Sequence, residues 1–170
     1  MIDENIHTEK ITSNKTSALF LSLTGLFLIL FIWRRVVSGM NGLTIVLLCF
    51  FVFFLFCSIN YRILNISLTR KELALKFGLV TWVIPLGNIA SCRLDEIPWL
   101  MKNGGAGIHF MFIQGRYRAS FNFLEYSRVV ISLKRRMGPV RDISFTTRRP
   151  EDLIRSIRDL TSSTWLVGEK

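Results

Sequence analysis

ALFLSLTGLFLILFIW, residues 18–33, and LTIVLLCFFVFFLFCSIN, residues 43–60, decide how this chain is built. Each run approaches the roughly 20 apolar residues needed to cross a hydrocarbon core. From Thr16 to Tyr61 the only charged side chains are Arg34 and Arg35, at the hinge between the runs. A soluble helix keeps a polar face for water, and neither run has one. Ser22, Thr24 and Gly25 are the only small or polar breaks in the first, and residues 47–55 of the second are a near-continuous stretch of aliphatics and aromatics. A cleavable signal peptide needs a shorter apolar stretch followed by small residues, whereas Trp33-Arg34-Arg35 follows here. The reading is a transmembrane helical hairpin over residues 16–61, with a hairpin that dips in and returns as the alternative.

Basic residues set the orientation. Lys10 and Lys15 precede the first span, and Arg62, Arg70, Lys71 and Lys76 follow the second. Counting Lys and Arg near the spans favours both termini in the cytoplasm. Arg34 and Arg35 argue the other way, although their long stems allow them to snorkel to the headgroups on either side. Gly39-Met40-Asn41-Gly42 supplies the turn between antiparallel helices.

The 170 residues are 50% hydrophobic with a formal charge of +10. About 110 residues follow Tyr61, enough for one compact domain and not for two. Residues 1–15 read as a polar, mobile lead, residues 62–161 as the domain, and residues 162–170 as a tail. Cys49, Cys57 and Cys92 form neither a disulfide framework nor a metal spacing.

Beyond the apolar runs the period changes. Residues 63–69 and 73–77 alternate around the polar tip Arg70-Lys71-Glu72 and predict a β-hairpin emerging directly from the second helix. Gly78 breaks the pattern, residues 79–84 resume it, and Pro85-Leu86-Gly87-Asn88 turns the chain into a strand over 89–94. Further strands are predicted over 108–113, 117–123, 128–133 and 142–146, with turns at Gly115 and Gly138-Pro139. Short strands at this spacing predict an antiparallel sandwich or partly open barrel. One amphipathic helix closes it: Pro150 suits the first helical position, Glu151 and Asp152 meet the positive end of the dipole, and Leu153, Ile154, Ile157 and Leu160 form an apolar stripe.

The residues 67–73 (SLTRKEL), Gly78, Ile84-Pro85-Leu86-Gly87-Asn88-Ile89, 104–109 (GGAGIH), 129–133 (VVISL), Ser144-Phe145-Thr146-Thr147 and Pro150-Glu151-Asp152-Leu153 together resemble the bacterial pleckstrin-homology-like (PH-like) domains of small membrane proteins with two N-terminal helices. The resemblance covers most of residues 61–160. It implies a PH-like antiparallel fold and a binding or scaffolding module rather than an enzyme. Arg148-Arg149 departs from the acidic or small polar residues expected before the helix.

Catalytic constellations are not legible. His7 and His109 are the only histidines, and Asp95-Glu96 would point to opposite faces of a strand. Residues 103–107 (NGGAG) lack the following Lys-Ser or Lys-Thr and the helix that a phosphate loop requires, and read as a bulge or tight turn. No cofactor is expected.

Charge says more about partners. Residues 62–170 carry 18 Lys and Arg against 9 Asp and Glu, a balance suited to an anionic cytoplasmic leaflet. If the strands form an up-and-down meander, parity gathers Arg62, the loop residues Trp99, Leu100 and Lys102, and Arg148 and Arg149 at the membrane end, as lipid contacts. Arg70, Lys71, Arg116, Arg135 and Arg136 then fall at the remote end, as basic tips suited to an acidic protein partner. Nucleic acid is not expected, because these tips are separated and do not line one helix. The expected partners are the bilayer with its anionic headgroups and a membrane protein or second copy. The alternative makes the hairpin the interaction element of an accessory subunit and the β domain its structural cap.

Overall fold

A computed structural model of the chain describes residues 5–95, 106–113 and 115–167. Two long helices come first: α1, Asn14–Ser38, and α2, Gly42–Asn60, each long and apolar enough to cross a membrane. Ser13 caps α1 by accepting the Thr16 N–H, and Asn41 caps α2 by accepting that of Thr44. The expected link beginning at Arg34 is shorter than read: α1 continues to Ser38, and Gly39, at φ 68, ends it. Arg35 therefore sits in the last turn, where its charge complements the helix dipole. Phe27 packs between Phe50 and Phe54 at 5.1 Å from each ring. Apart from such seams the hairpin leaves its apolar side chains outward, Leu21, Ile29, Val52, Phe53 and Ile59 among them.

The residues read as a mobile lead contain a strand. β1, His7–Thr12, pairs antiparallel with β2, Ile63–Leu68, from His7 opposite Leu68 to Thr12 opposite Ile63. Only Ile11 of this strand is fully buried, in the core beside Leu64 and Ile66. One inward apolar residue among polar neighbours is too faint a period to read from sequence. β3, Glu72–Phe77, and β4, Val80–Pro85, complete a sheet of order β1-β2-β3-β4.

After one 3-10 turn, Leu86–Asn88, the chain builds a second sheet from β5, Ile89–Leu94; β6, Gly107–Ile113; β7, Arg116–Asn122; β8, Ser127–Met137; and β9, Val140–Thr147. Its order is β5-β8-β9-β7-β6, and β7 runs parallel to β9. The simple meander is thus corrected. Consecutive strands of this sheet still alternate in direction while their neighbours change. β8 runs past the expected Leu133, so Arg135 and Arg136 lie within a strand and the tip is Gly138-Pro139, with Gly138 at φ 62. Asn88 holds this extension by accepting the Arg135 N–H and donating to its carbonyl.

The two sheets face each other over one core. Leu64, Ile66, Leu75 and Phe77 meet Phe121, Phe123, Ile131, Ile143 and Phe145, all inaccessible to solvent. Each such side chain contributes about 1.5–3 kcal/mol. α3, Pro150–Val167, packs on β5, β8 and the 3-10 turn through Leu153 and Ile157. It extends into the expected tail, and within it the hydroxyls of Thr161 and Ser162 donate back to the Ile157 and Arg158 carbonyls. Beside it, burial pushes the Cys92 thiol up to about 12 despite the opposing effect of Arg158.

Ile11 offers a direct check on β1. Truncation of Ile11 to alanine is expected to cost about 2–4 kcal/mol, measured by urea unfolding in detergent micelles. A loss below about 0.5 kcal/mol, normal for a surface position, would show that these residues do not complete the sheet.

Candidate functional site

Where the helices meet the sandwich, three elements close on one point. Tyr61 follows α2 directly and packs between Phe20 of α1, at 5.7 Å, and Phe77 of β3, at 5.2 Å. Two glycines allow this approach. A Cβ on Gly78, at φ 60, would lie 1.9 Å from Asn60 Oδ1, and one on Gly107, at φ 89, would lie 2.9 Å from the Tyr61 ring. Asn60 Oδ1 accepts the Leu79 N–H at 2.7 Å and ties the β3–β4 turn to the helix end.

The other flank is held by hydrogen bonds between distant parts of the chain. The Leu124 N–H donates to Thr16 Oγ1, the Lys15 N–H to Glu125, and the Tyr126 hydroxyl to the Thr12 carbonyl. Glu9 accepts from the Thr147 hydroxyl and from the Arg148 N–H. The strand ends at Thr12, Ile63, Phe77, Asn122 and Thr147 therefore share the helix-proximal end of the sandwich.

Of the residues expected there, Arg62, Arg148 and Arg149 are at this end and exposed. Trp99, Leu100 and Lys102 lie outside the described residues. Arg148 is already engaged: its guanidinium lies over the Tyr126 ring at 5.2 Å and donates to the Tyr126 hydroxyl at 3.2 Å. Arg62 lines a cleft of about 630 Å³ together with Ser13, Asn14, Ser17 and Asn60. Arg70 and Lys71 sit at the β2–β3 tip, and Arg116 follows the β6–β7 turn, at the opposite end.

The second sheet contains polar groups that sequence reading missed. Alternation sends Ala119 and Phe121 of β7, and Ile143 and Phe145 of β9, into the core. Their neighbours Arg118, Ser120, Asn122, Asp142, Ser144 and Thr146 take the other face and are nevertheless buried. Ser120 and Ser144 share a hydrogen bond of 2.7 Å. Arg118 pairs with Asp95 at 3.1 Å, their side chains 4% and 5% exposed. No local spacing reveals this pair, because 23 residues separate its members.

Burial raises the Asp95 carboxyl, while Arg118 first, then Arg128 and Arg93, oppose the shift. The folded state thus holds this proton more tightly than the unfolded chain. That contribution favours folding at low pH and is lost as the pH rises through the folded pKa. His109 on β6, half-buried, is lowered by burial and then by Arg128. It counts against the fold once the pH falls below the pKa of the unfolded imidazole. Among the described residues no group of three His, Cys, Asp or Glu is arranged to hold a metal. No family model, curated protein or solved structure matches the chain.

Two measurements probe these contacts. Gly78→Ala is expected to lose about 2 kcal/mol or more, since it combines a left-handed backbone with overlap on Asn60; an unchanged unfolding midpoint would contradict the close approach. Asp95→Ala and Arg118→Ala are each expected to cost roughly 3 kcal/mol, because each leaves a buried charge behind. The double variant should then recover about 1–3 kcal/mol of the summed loss, and strictly additive losses would rule out a coupled pair.

Proposed function

We propose that this chain is a membrane-anchored PH-like binding module, with the hairpin crossing the bilayer twice and the sandwich held against the cytoplasmic surface. One observation carries the reading. β1 and β2 flank the hairpin in sequence and are hydrogen-bonded neighbours in one sheet, so both ends of the hairpin emerge on the same side. Two facing sheets with a single C-terminal helix are compatible with the PH-like comparison, from whose antiparallel pattern the parallel β7–β9 pair departs. Lys10, Lys15 and Arg62 flank the helix ends on the sandwich side, and the bias of basic residues toward the cytoplasm supports the orientation.

The ligand proposed for the helix-proximal end is an anionic lipid headgroup. Arg62 and Arg149 offer exposed charge there, and the cleft beside Arg62 lies next to the N-terminus of α1, which favours negative charge. Arg148, fixed on Tyr126, contributes charge from a set position. The rigid junction leaves no tether with which the domain could search the cytoplasm, so its ligands are those at the membrane surface.

The full chain, reconstituted in nanodiscs of zwitterionic lipid with a minority of anionic lipid, tests the reading. Lipid retained with the protein after mild detergent extraction is expected to be enriched in the anionic species. Near-surface basic residues contribute about 1 kcal/mol each, so Arg62→Ala and Arg149→Ala should each reduce the enrichment about fivefold. Retained lipid of the same composition as the disc would reject the headgroup role.

A further inference from the structure

The end of the sandwich remote from the helices carries an apolar surface that the fold leaves uncovered. β4 meets β7 through Trp82, and the turn after it carries the chain over to β8. Trp82 lies against Phe121 of β7 at 6.0 Å, whereas beyond its end Asn88 bonds to Arg135 and the Gly87 carbonyl accepts from Lys134, both on β8. This divergence leaves the outer half of the β6–β7 hairpin without a facing strand. Phe110, Phe112 and Tyr117 consequently stand 51%, 73% and 39% exposed, although they share the inner face with Ile108, Ala119 and Phe121. Phe110 and Tyr117 stack at 6.0 Å with an interplanar angle of 17° and form a shelf. β6 is also the last strand of its sheet, and among the described residues only β7 pairs with it.

Position and charge narrow the occupant. Gly107 packs on Tyr61 at the helix end, and Phe112 is five residues further along the strand, roughly 17 Å away at about 3.3 Å per residue. The shelf is thus beyond the reach of headgroups beside Arg62. Its rim is basic: Arg116, Arg135, Arg136 and Arg141 all belong to this end and are exposed. They lie within three strand spacings of β6, about 14 Å. A second copy of the chain would bring the same positive charge. An aromatic patch beside an open strand, ringed by arginine, suits main-chain pairing with side chains anchored on the rings.

We infer that this end is a docking surface for an extended acidic segment of another protein, added as a strand beside β6 with its apolar side chains on Phe110 and Phe112. The inference rests on the membrane-anchored reading only in excluding lipid, and lipid enrichment at Arg62 reports on that reading separately. Arg116, half-exposed and 3.6 Å from Asp142, meets the acidic side chains at the rim.

Synthetic peptides alternating isoleucine with glutamate or with lysine, together with an oligouridylate, serve as probes against the full chain in detergent micelles. The glutamate peptide is expected to bind and to weaken with salt. Phe112→Ser is expected to weaken it tenfold or more with an unchanged unfolding transition, because that side chain is 73% exposed, and Arg116→Ala several-fold together with a lower unfolding midpoint, because buried Asp142 loses its partner. Equal binding of the lysine peptide, tighter binding of the oligouridylate, absence of binding, or indifference to Phe112→Ser would each overturn the inference. A photo-reactive residue at position 112 in intact membranes gives a second readout. Adducts on an acidic, strand-forming protein segment support the docking surface, and adducts confined to lipid or nucleic acid refute it.

Discussion

The pairing of β1 with β2 is the constraint on which the rest of the structure depends. Six residues before the helices and six after them share one antiparallel ladder, so the hairpin returns to its starting point. Helix packing does not impose this by itself, because stacked phenylalanines along α1 and α2 tolerate many end positions. The ladder fixes the ends, and Tyr61, Gly78 and Gly107 bring the second sheet onto them. The sandwich and the hairpin therefore behave as a single mechanical unit.

That rigidity gives the two ends of the sandwich different characters. At the helix-proximal end, hydrogen bonds tie Thr12, Lys15, Thr16 and Glu9 to the second sheet, and Arg148 is parked on Tyr126. At the remote end, β4 swings away toward β8 and the aromatic residues of β6 and β7 stay open. The buried row of Arg118, Asp142 and Ser144 between them works against stability unless each charge keeps its partner. A sheet this polar on its outer face is held in register by its ion pairs and hydrogen bonds as well as by its core.

Much of this was legible in the sequence, and the failures have physical causes. Alternation located β2 to β9 within a few residues, since each has an apolar side facing the same core. β1 escaped because Ile11 is its only fully buried residue and its other partners lie far along the chain. The parallel pairing of β7 with β9 escaped because nothing local encodes which strands become neighbours. Arg135 and Arg136 read as a tip because charge ordinarily marks turns, whereas Asn88 and the tight turn at Gly138 keep them in a strand. Parity alone groups Arg62, Arg148 and Arg149 at one end of the strands, whereas the Asp95–Arg118 pair requires a fold to bring it together.

The bond between Glu9 and Thr147 joins residues 138 positions apart. At about 5–20 residues per second of synthesis, the interval between making one partner and the other is about 7 to 28 seconds. Within it β1 gains its ladder partner β2, whose residues follow by 51 to 61 positions, while Glu9 waits for Thr147. The charged side chains Glu9 and Lys10, which made this segment hard to recognise as a strand, favour its hydration until its partners arrive. The first strand made is thus paired early by β2 and fastened last, when Thr147 and Arg148 reach Glu9.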